Sequence, residues 1–200
     1  LPQMSKDPRF SDAISRIDTA NADDPNVLTF GGTTRPKELA HAEMLTRWVK
    51  QLRPEASDEL RLAARGHHIH RWQHPRAEQP DGRQGYLRWR TALYRFHAEE
   101  VSAILVACGY EATVVDRVAA LVGKRVPRHD PDAQALEDGL CLVFMETQFQ
   151  QLNDRVADDK MVDVLRKTWA KMSPSGRDFA LSLDLPAHQR ELVERALAAG

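Results

Sequence analysis

The chain has 200 residues, of which 42% are hydrophobic, and its 28 basic and 29 acidic side chains give a formal net charge of -1. This length allows one compact domain with a sizeable core, or at most two small ones. The near-neutral charge argues against extended nucleic acid as the main partner. The longest uninterrupted apolar run, Leu140 to Met145, is too short to span a membrane, and no basic segment followed by an apolar one begins the sequence. We therefore predict a cytoplasmic protein without a membrane partner.

Helical periodicity dominates the sequence and predicts an all-α fold, with a single multi-helix domain over residues 1–200. Residues 1–3, before the first methionine, resemble a cloning scar. Long loops rich in proline, glycine and polar residues are predicted at 21–35 and 73–84. The predicted helices lie, in chain order, at 8–20, 36–52, 58–72, 85–108, 111–122, 132–156, 159–172 and 187–198.

Histidines are concentrated in the stretch RLAARGHHIHRWQHPR at residues 61–76, which also holds four arginines but no acidic residue. His67 and His68 are adjacent on a predicted helix and about 100° apart around its axis, so both can flank one pocket. His41 and His97 fall on apolar faces of two other predicted helices. Metal centres in helical bundles use inward-pointing ligands from facing helices. We therefore predict that these four histidines bind one divalent transition ion (Zn, Mn, Fe, Co or Ni), although one histidine on an apolar face is usually a core residue.

A carboxylate occurs in the apolar helical stretch ALEDGLCLVF, at Asp138. A buried carboxylate without a partner is costly, so we expect Asp138 to bind either the same metal ion or an arginine of residues 61–76. Nearby acids are candidates for proton transfer during catalysis. We predict this role for Glu137 and Glu146, and the sequence leaves Glu99 and Glu100 open as alternatives.

The order of His41, the AARGHHI doublet and Asp138 resembles the HD superfamily of metal-dependent phosphohydrolases. This resemblance implies an HD-like helical bundle in which His41 is the first metal ligand, His67 the second and Asp138 the last. His68 stands where that superfamily has an aspartate that bridges two metal ions. Because a neutral imidazole cannot bridge two ions, the resemblance implies one ion at most.

A closer resemblance covers nearly the whole chain. The stretches LRLAARGHHIHRWQHPR, GYLRWRTALYRFHAEE, ALEDGLCLVFMETQF and VLRKTWAKMSPSG are similar to those of an uncharacterised all-helical family, domain of unknown function 4202. Membership of that family implies the helical fold but no particular reaction.

Arginine is the characteristic cation of residues 61–95, which contain eight arginines and no lysine. Arginine favours planar, bidentate binding of phosphate, sulfate or carboxylate, although solvated helix arginines are also common. Basic and aromatic residues near helix ends are the candidate substrate-binding residues. They are Arg71, Trp72 and Arg76 in this segment, and Lys167, Trp169 and Lys171 in RKTWAKMS.

Three functions are compatible with these patterns. The favoured one is a metal-dependent hydrolase or lyase acting on a small phosphorylated or sulfated metabolite, such as a nucleotide, with metal-activated water and an arginine anion clamp. An alternative is a metal-free nucleotide- or RNA-binding module in which Trp72, Trp89 and Trp169 stack on bases. A further alternative is an HD-like iron oxygenase, since such enzymes use similar ligands.

Overall fold

A computed structural model describes residues 5, 7–127, 129–149, 152 and 154–198. Helices dominate this part of the chain and confirm the all-α prediction, with a two-stranded hairpin as the β structure within it. The suspected cloning scar at residues 1–3 lies outside the described residues. No helix within the described ranges is both long and apolar enough to cross a membrane.

The helices follow the predicted order closely. Their bounds are α1 Pro8–Ala22, α2 Lys37–Leu52, α3 Asp58–Gly66, α4 Gly82–Ala107, α5 Ala112–Val122, α6 Pro131–Thr147, α7 Asp158–Trp169, α8 Pro174–Leu181 and α9 Ala187–Ala198. Side-chain caps explain where several of them begin. Asp7 accepts a hydrogen bond at the start of α1, Ser57 at the start of α3 and Ser173 at the start of α8.

The structure differs from the predicted elements in several places. The predicted loop at 21–35 contains an antiparallel hairpin of β1 (Val27–Phe30) and β2 (Thr33–Pro36), and its Gly31–Gly32 turn has positive φ at both residues. The helix predicted at 58–72 ends at Gly66. The helix predicted to reach residue 156 ends at Thr147, and α8 was not predicted.

The predicted loop at 73–84 is shorter than expected. Two 3-10 turns, Arg71–Gln73 and Arg76–Glu78, occupy its first part, and α4 already begins at Gly82. Asp81 precedes this helix in an extended conformation. The loop therefore consists of successive tight turns rather than an irregular segment.

Internal packing divides the chain into two compact units, residues 1–133 and 134–200. In the first unit, α3 packs against α1, α2 and α5, and α4 packs against α5. In the second unit, α7 packs against α9. Each unit has its own buried apolar side chains: Ile17, Leu45, Leu60 and Leu105 in the first, and Leu142, Met161, Leu165 and Leu192 in the second. That the whole chain is one domain stays a prediction.

Candidate metal centre

Helix α2 supplies two polar side chains to the interior of the first unit. Glu38 and His41 are three residues apart and therefore share a face of the helix. Both are buried, with 4% and 6% of their surfaces exposed. No side chain caps α2 at Pro36, but the buried Asp24 carboxylate accepts a hydrogen bond from the Glu38 backbone N–H at 3.0 Å. Asp24 thus fixes the first turn of α2 and the position of Glu38.

The end of α3 supplies the next two imidazoles. A Cβ atom at Gly66 would lie 2.7 Å from Cγ2 of Val101 on α4, so glycine is required for the two helices to pack this closely. His67 and His68 follow at once. His70 then adopts a left-handed conformation, with φ of 54°, and its Nδ1 lies 2.6 Å from Oε2 of Glu100. Close packing and this anchored turn together fix the direction of the histidine doublet.

Three side chains from these elements form one group of potential metal ligands. One donor atom from each of Glu38, His41 and His68 lies within 4.8 Å of the others. The rings of His41 and His68 are stacked, with centroids 4.3 Å apart, and His68 Nδ1 is 3.5 Å from Glu38 Oε2. An ion about 2.1 Å from each donor needs the donors roughly 3 to 4 Å apart, so the side chains would have to turn and move closer together to bind one. We call this set the Glu38–His41–His68 group.

Two further histidines lie next to this group. The ring centroid of His68 is 5.1 Å from that of His67 and 5.8 Å from that of His97 on α4. His97 Nδ1 lies 2.8 Å from the Ile69 carbonyl oxygen and donates a hydrogen bond to it, so Nε2 carries the lone pair. This is how proteins commonly orient an imidazole for metal binding.

Several buried atoms in this cluster have no hydrogen-bond partner among the described residues. They are Glu38 Oε2, His41 Nδ1, His67 Nδ1 and His97 Nε2. Each such atom costs about 1–3 kcal/mol when it is left unpaired, so four in one place are unusual for a native interior. A bound ion and its water ligands would satisfy them. The 21% exposure of the His68 side chain gives the cluster an opening to solvent.

The electrostatic environment keeps the imidazoles neutral. Burial is the main cause that lowers the pKa of His41, of His67 and of His68, and it lowers the pKa of His97 from 6.5 to about 4. The positive charge of Arg71 lowers the pKa of His41, His68 and His97 further. Neutral imidazole is the form that binds a metal, so these side chains are in the protonation state that metal binding requires.

Comparison with known proteins places the chain in a family. The family model described as Domain of unknown function (DUF4202) matches residues 11–193. The chain belongs to this family. No curated protein and no solved structure matches it. The close resemblance seen in the sequence is thereby confirmed, whereas the HD-like arrangement stays a prediction.

Asp138 has hydrogen-bond partners within the second unit of this DUF4202 chain. Its Oδ1 accepts from the Ser173 backbone N–H at 2.8 Å and from the Gln134 amide at 3.0 Å, and its Oδ2 accepts from the Ser173 hydroxyl at 2.5 Å. Asp138 thus connects α6 to the residue that caps α8. Its predicted role as a metal ligand is not tested by these contacts, but the compact ligand group contains Glu38 instead.

Glu38 was not among the ligands predicted from the sequence. The signal was present as ELAH at residues 38–41, a Glu-x-x-His spacing that places both side chains on one helix face. The carboxylates predicted to be functional all lie in later helices, whereas this acid lies one turn before His41.

The predicted proton-transfer residues lie apart from this group in the sequence. Glu137 is 3.7 Å from the ammonium group of Lys171, and Glu146 lies half-buried on α6, both within the second unit. On α4, Glu99 pairs with Arg95 at 2.7 Å. Their role in proton transfer stays a prediction.

The predicted anion-binding residues divide between the two units. In the first, the Arg71 guanidinium lies 5.1 Å from the centre of the Trp89 ring, and Trp72 makes an edge contact with His70. Among the described residues, Arg71 forms no ion pair with a carboxylate. Arg76 instead donates hydrogen bonds to backbone carbonyls of its own loop. In the second unit lie Lys167, Trp169 and Lys171, with Lys167 exposed and Trp169 covered by Arg177.

Proposed function

We propose that this protein is a metal-dependent hydrolase or lyase acting on a small phosphorylated or sulfated metabolite. The observation that supports this most directly is the Glu38–His41–His68 group. It combines two imidazoles and one carboxylate with a set of buried polar atoms that lack partners in the described chain. Two histidines and a glutamate are also the protein ligands of several zinc hydrolases.

The residues around the group fit the proposed reaction. A divalent ion held there would polarise an oxygen of the substrate and lower the pKa of a bound water. Glu38, His41 and His68 would hold the ion, and the Ile69 carbonyl keeps His97 in the tautomer that presents a lone pair. Arg71, which has no carboxylate partner among the described residues, would bind the anionic group of the substrate and offset the charge that develops on it.

Iron-dependent oxygenation is the second candidate, because a carboxylate with two histidines is also the ligand set of non-haem iron oxygenases. The positive charge of Arg71 beside the histidines favours an anionic substrate and hence the hydrolase. A metal-free nucleotide- or RNA-binding module leaves the unpaired polar atoms of the cluster unexplained, and we rank it third.

Metal analysis of the untagged protein tests the proposal. After dialysis against zinc, manganese, iron, cobalt or nickel salts, we expect about one ion per chain, and we expect Glu38→Gln to lose it. Glu43→Gln is the matched control, since Glu43 lies on the same helix but pairs with Arg35. The same samples are assayed with phosphate esters and sulfate esters.

Three results separate the candidates. Metal binding together with hydrolysis, both lost in Glu38→Gln only, supports the hydrolase. Oxygen consumption by the iron form without hydrolysis of any ester supports the oxygenase. A parent protein that retains none of these ions contradicts both and leaves the binding module.

A further inference from the structure

The loop at residues 74–80 folds against α4 and borders a cavity of about 310 Å³. Aromatic and apolar side chains form much of its wall, including His74, Trp89, Leu93 and Phe96. The rings of His74 and Phe96 meet edge to face, with centroids 4.4 Å apart. A cavity of this size lies at the lower end of the range for small-molecule sites, where a planar ring fits.

Specific contacts hold the loop in place. The Trp89 indole N–H donates to the His74 carbonyl at 2.8 Å, and Arg76 donates to the carbonyls of Gln79 and Pro80 at 3.1 and 3.0 Å. A Cβ atom at Gly85 would lie 1.9 Å from the Pro80 carbonyl oxygen, so only glycine lets the loop approach α4 this closely. The cavity is therefore defined by fixed contacts at both ends of the loop.

A polar group is available at the edge of the cavity. The side-chain amide of Gln79 lines it and makes no hydrogen bond to any residue that the structure describes. An amide both donates and accepts hydrogen bonds, so it can recognise the edge of a heterocycle. The cavity thus offers aromatic side chains, the Gln79 amide and the paired side chains of Arg95 and Glu99 to a bound ring.

The cavity adjoins the histidine cluster. Phe96 in its wall precedes His97 on α4, and the two ring centroids are 5.6 Å apart. The Arg71 guanidinium lies over the Trp89 ring in the same wall, and the Arg71 backbone N–H donates to the His68 carbonyl at 3.1 Å. Arg71 therefore lies near both the aromatic cavity and the potential metal ligands.

We propose that the substrate carries a planar aromatic or heteroaromatic ring, which binds in this cavity while its phosphate group binds at Arg71 and the Glu38–His41–His68 group. The proposal rests on the proposed function and names its substrate class, phosphate esters of aryl or nucleoside type. Phosphates without a ring, such as sugar phosphates, would leave the cavity empty and bind more weakly.

Calorimetric titration of the metal-loaded protein tests this class with inert probes. Phenylphosphonate and methylphosphonate share the anionic group but differ in the ring. The phosphonate analogues of adenosine 5'-monophosphate and of ribose 5-phosphate, in which a CH2 group replaces the ester oxygen, are tested as competitors of phenylphosphonate and form the second pair. Because stacking on an aromatic side chain contributes severalfold to about a hundredfold in affinity, we expect the ring-bearing member of each pair to bind about tenfold more tightly.

Three variants locate the ring site. Ala92 is exposed and lines the cavity, so Ala92→Trp should fill it and abolish the preference for ring-bearing ligands without affecting methylphosphonate. Leu87→Trp is the matched control, because it adds the same side chain to an exposed position of α4 that does not line this cavity. Gln79→Ala should weaken the adenosine ligand severalfold and leave phenylphosphonate unchanged.

The outcomes distinguish this proposal from the proposed function. If the protein binds the metal and the phosphonates, but the two members of each pair bind with equal affinity, the ring site is overturned and the hydrolase is not. The ring site is also overturned if Ala92→Trp keeps the preference for ring-bearing ligands, or if Leu87→Trp loses it. A ring preference in a protein that retains no metal supports the ring site and overturns the hydrolase. Failure to bind any of the four ligands overturns the ring site, and metal analysis then decides the hydrolase separately.

Discussion

At the level of single residues, His97 shows how burial determines chemistry in this protein. Its side chain is 1% exposed, its Nδ1–H is bound by the Ile69 carbonyl, and its Nε2 has no partner among the described residues. A protonated ring at this position would place an additional charge in a buried region close to Arg71. His97 is therefore held in the neutral form at neutral pH.

The pH dependence of stability tests this description in the metal-free protein. Unfolded His97 takes up a proton below its ordinary pKa of 6.5, whereas the folded residue does so only below a pKa of about 4. The stability due to the neutral form is complete above pH 6.5 and declines as the pH falls towards 4. A difference of this size corresponds to roughly 3 kcal/mol.

His97→Asn removes this titration and keeps an amide near the Nδ1 position. Urea unfolding between pH 7 and 4 should therefore show a loss of stability that is up to about 3 kcal/mol smaller in the variant than in the parent. Parallel curves for parent and His97→Asn would contradict the description.

Asp138 illustrates a buried carboxylate whose hydrogen bonds come from the protein itself. Asparagine has one oxygen acceptor where Asp138 has two. Its NH2 group would therefore face a donor, either the Ser173 backbone N–H or the Ser173 hydroxyl. We expect Asp138→Asn to lower the free energy of unfolding by about 1–3 kcal/mol and to leave the metal content unchanged. Ser173→Ala should cost about 1 kcal/mol through loss of the α8 cap.

The two substitutions share one hydrogen-bonded network, so their effects should not add. A double variant that is much less destabilised than the sum indicates that Asp138 acts through Ser173. If Asp138→Asn instead retains its stability and loses its metal, Asp138 is a ligand, as the sequence suggested.

At the level of elements, the close contact of α3 with α4 positions the histidine doublet. A methyl group at Gly66 would overlap Val101 and force the helices apart. We expect Gly66→Ala to lower stability by about 1–3 kcal/mol and to weaken metal binding, because His67 and His68 follow directly. Val101→Ala in the same chain removes the atoms that clash and should restore metal affinity, even if the core remains less stable. Metal affinity that is unaffected by Gly66→Ala would contradict this role for the helix contact.

The sequence predicted the helices well because their apolar residues recur with the helical period. It predicted turns and boundaries less well. Gly66 after Arg65 is a common helix stop, but nothing local shows that it packs against Val101, which is 35 positions later. The Glu38 carboxylate was within reach of spacing arguments, since it precedes His41 by one turn. Its proximity to His68, in contrast, depends on how α2 and α3 pack, which the order of residues along the chain does not specify.

At the level of the whole molecule, the candidate metal ligands belong to the unit formed by residues 1–133, and Asp138 belongs to the unit formed by residues 134–200. Hydrogen exchange followed by mass spectrometry can therefore show which unit a metal ion stabilises. A ligand at a hundred times its dissociation constant stabilises the state that binds it by about 2.7 kcal/mol. The exchange rate of amides that become exposed when that unit opens falls accordingly.

When the protein is loaded with the ion that it binds, we expect amide hydrogen exchange to slow at least tenfold in α2 and in residues 58–107. Exchange in α7 and α9 should stay unchanged. The Glu38→Gln variant should show no slowing anywhere, which ties the effect to the Glu38–His41–His68 group. Slowing that extends to residues 134–147 in the parent but not in Asp138→Asn would identify Asp138 as a ligand. Slowing confined to α7 and α9 would contradict a metal site in the first unit, because an ion bound there cannot protect the second unit alone.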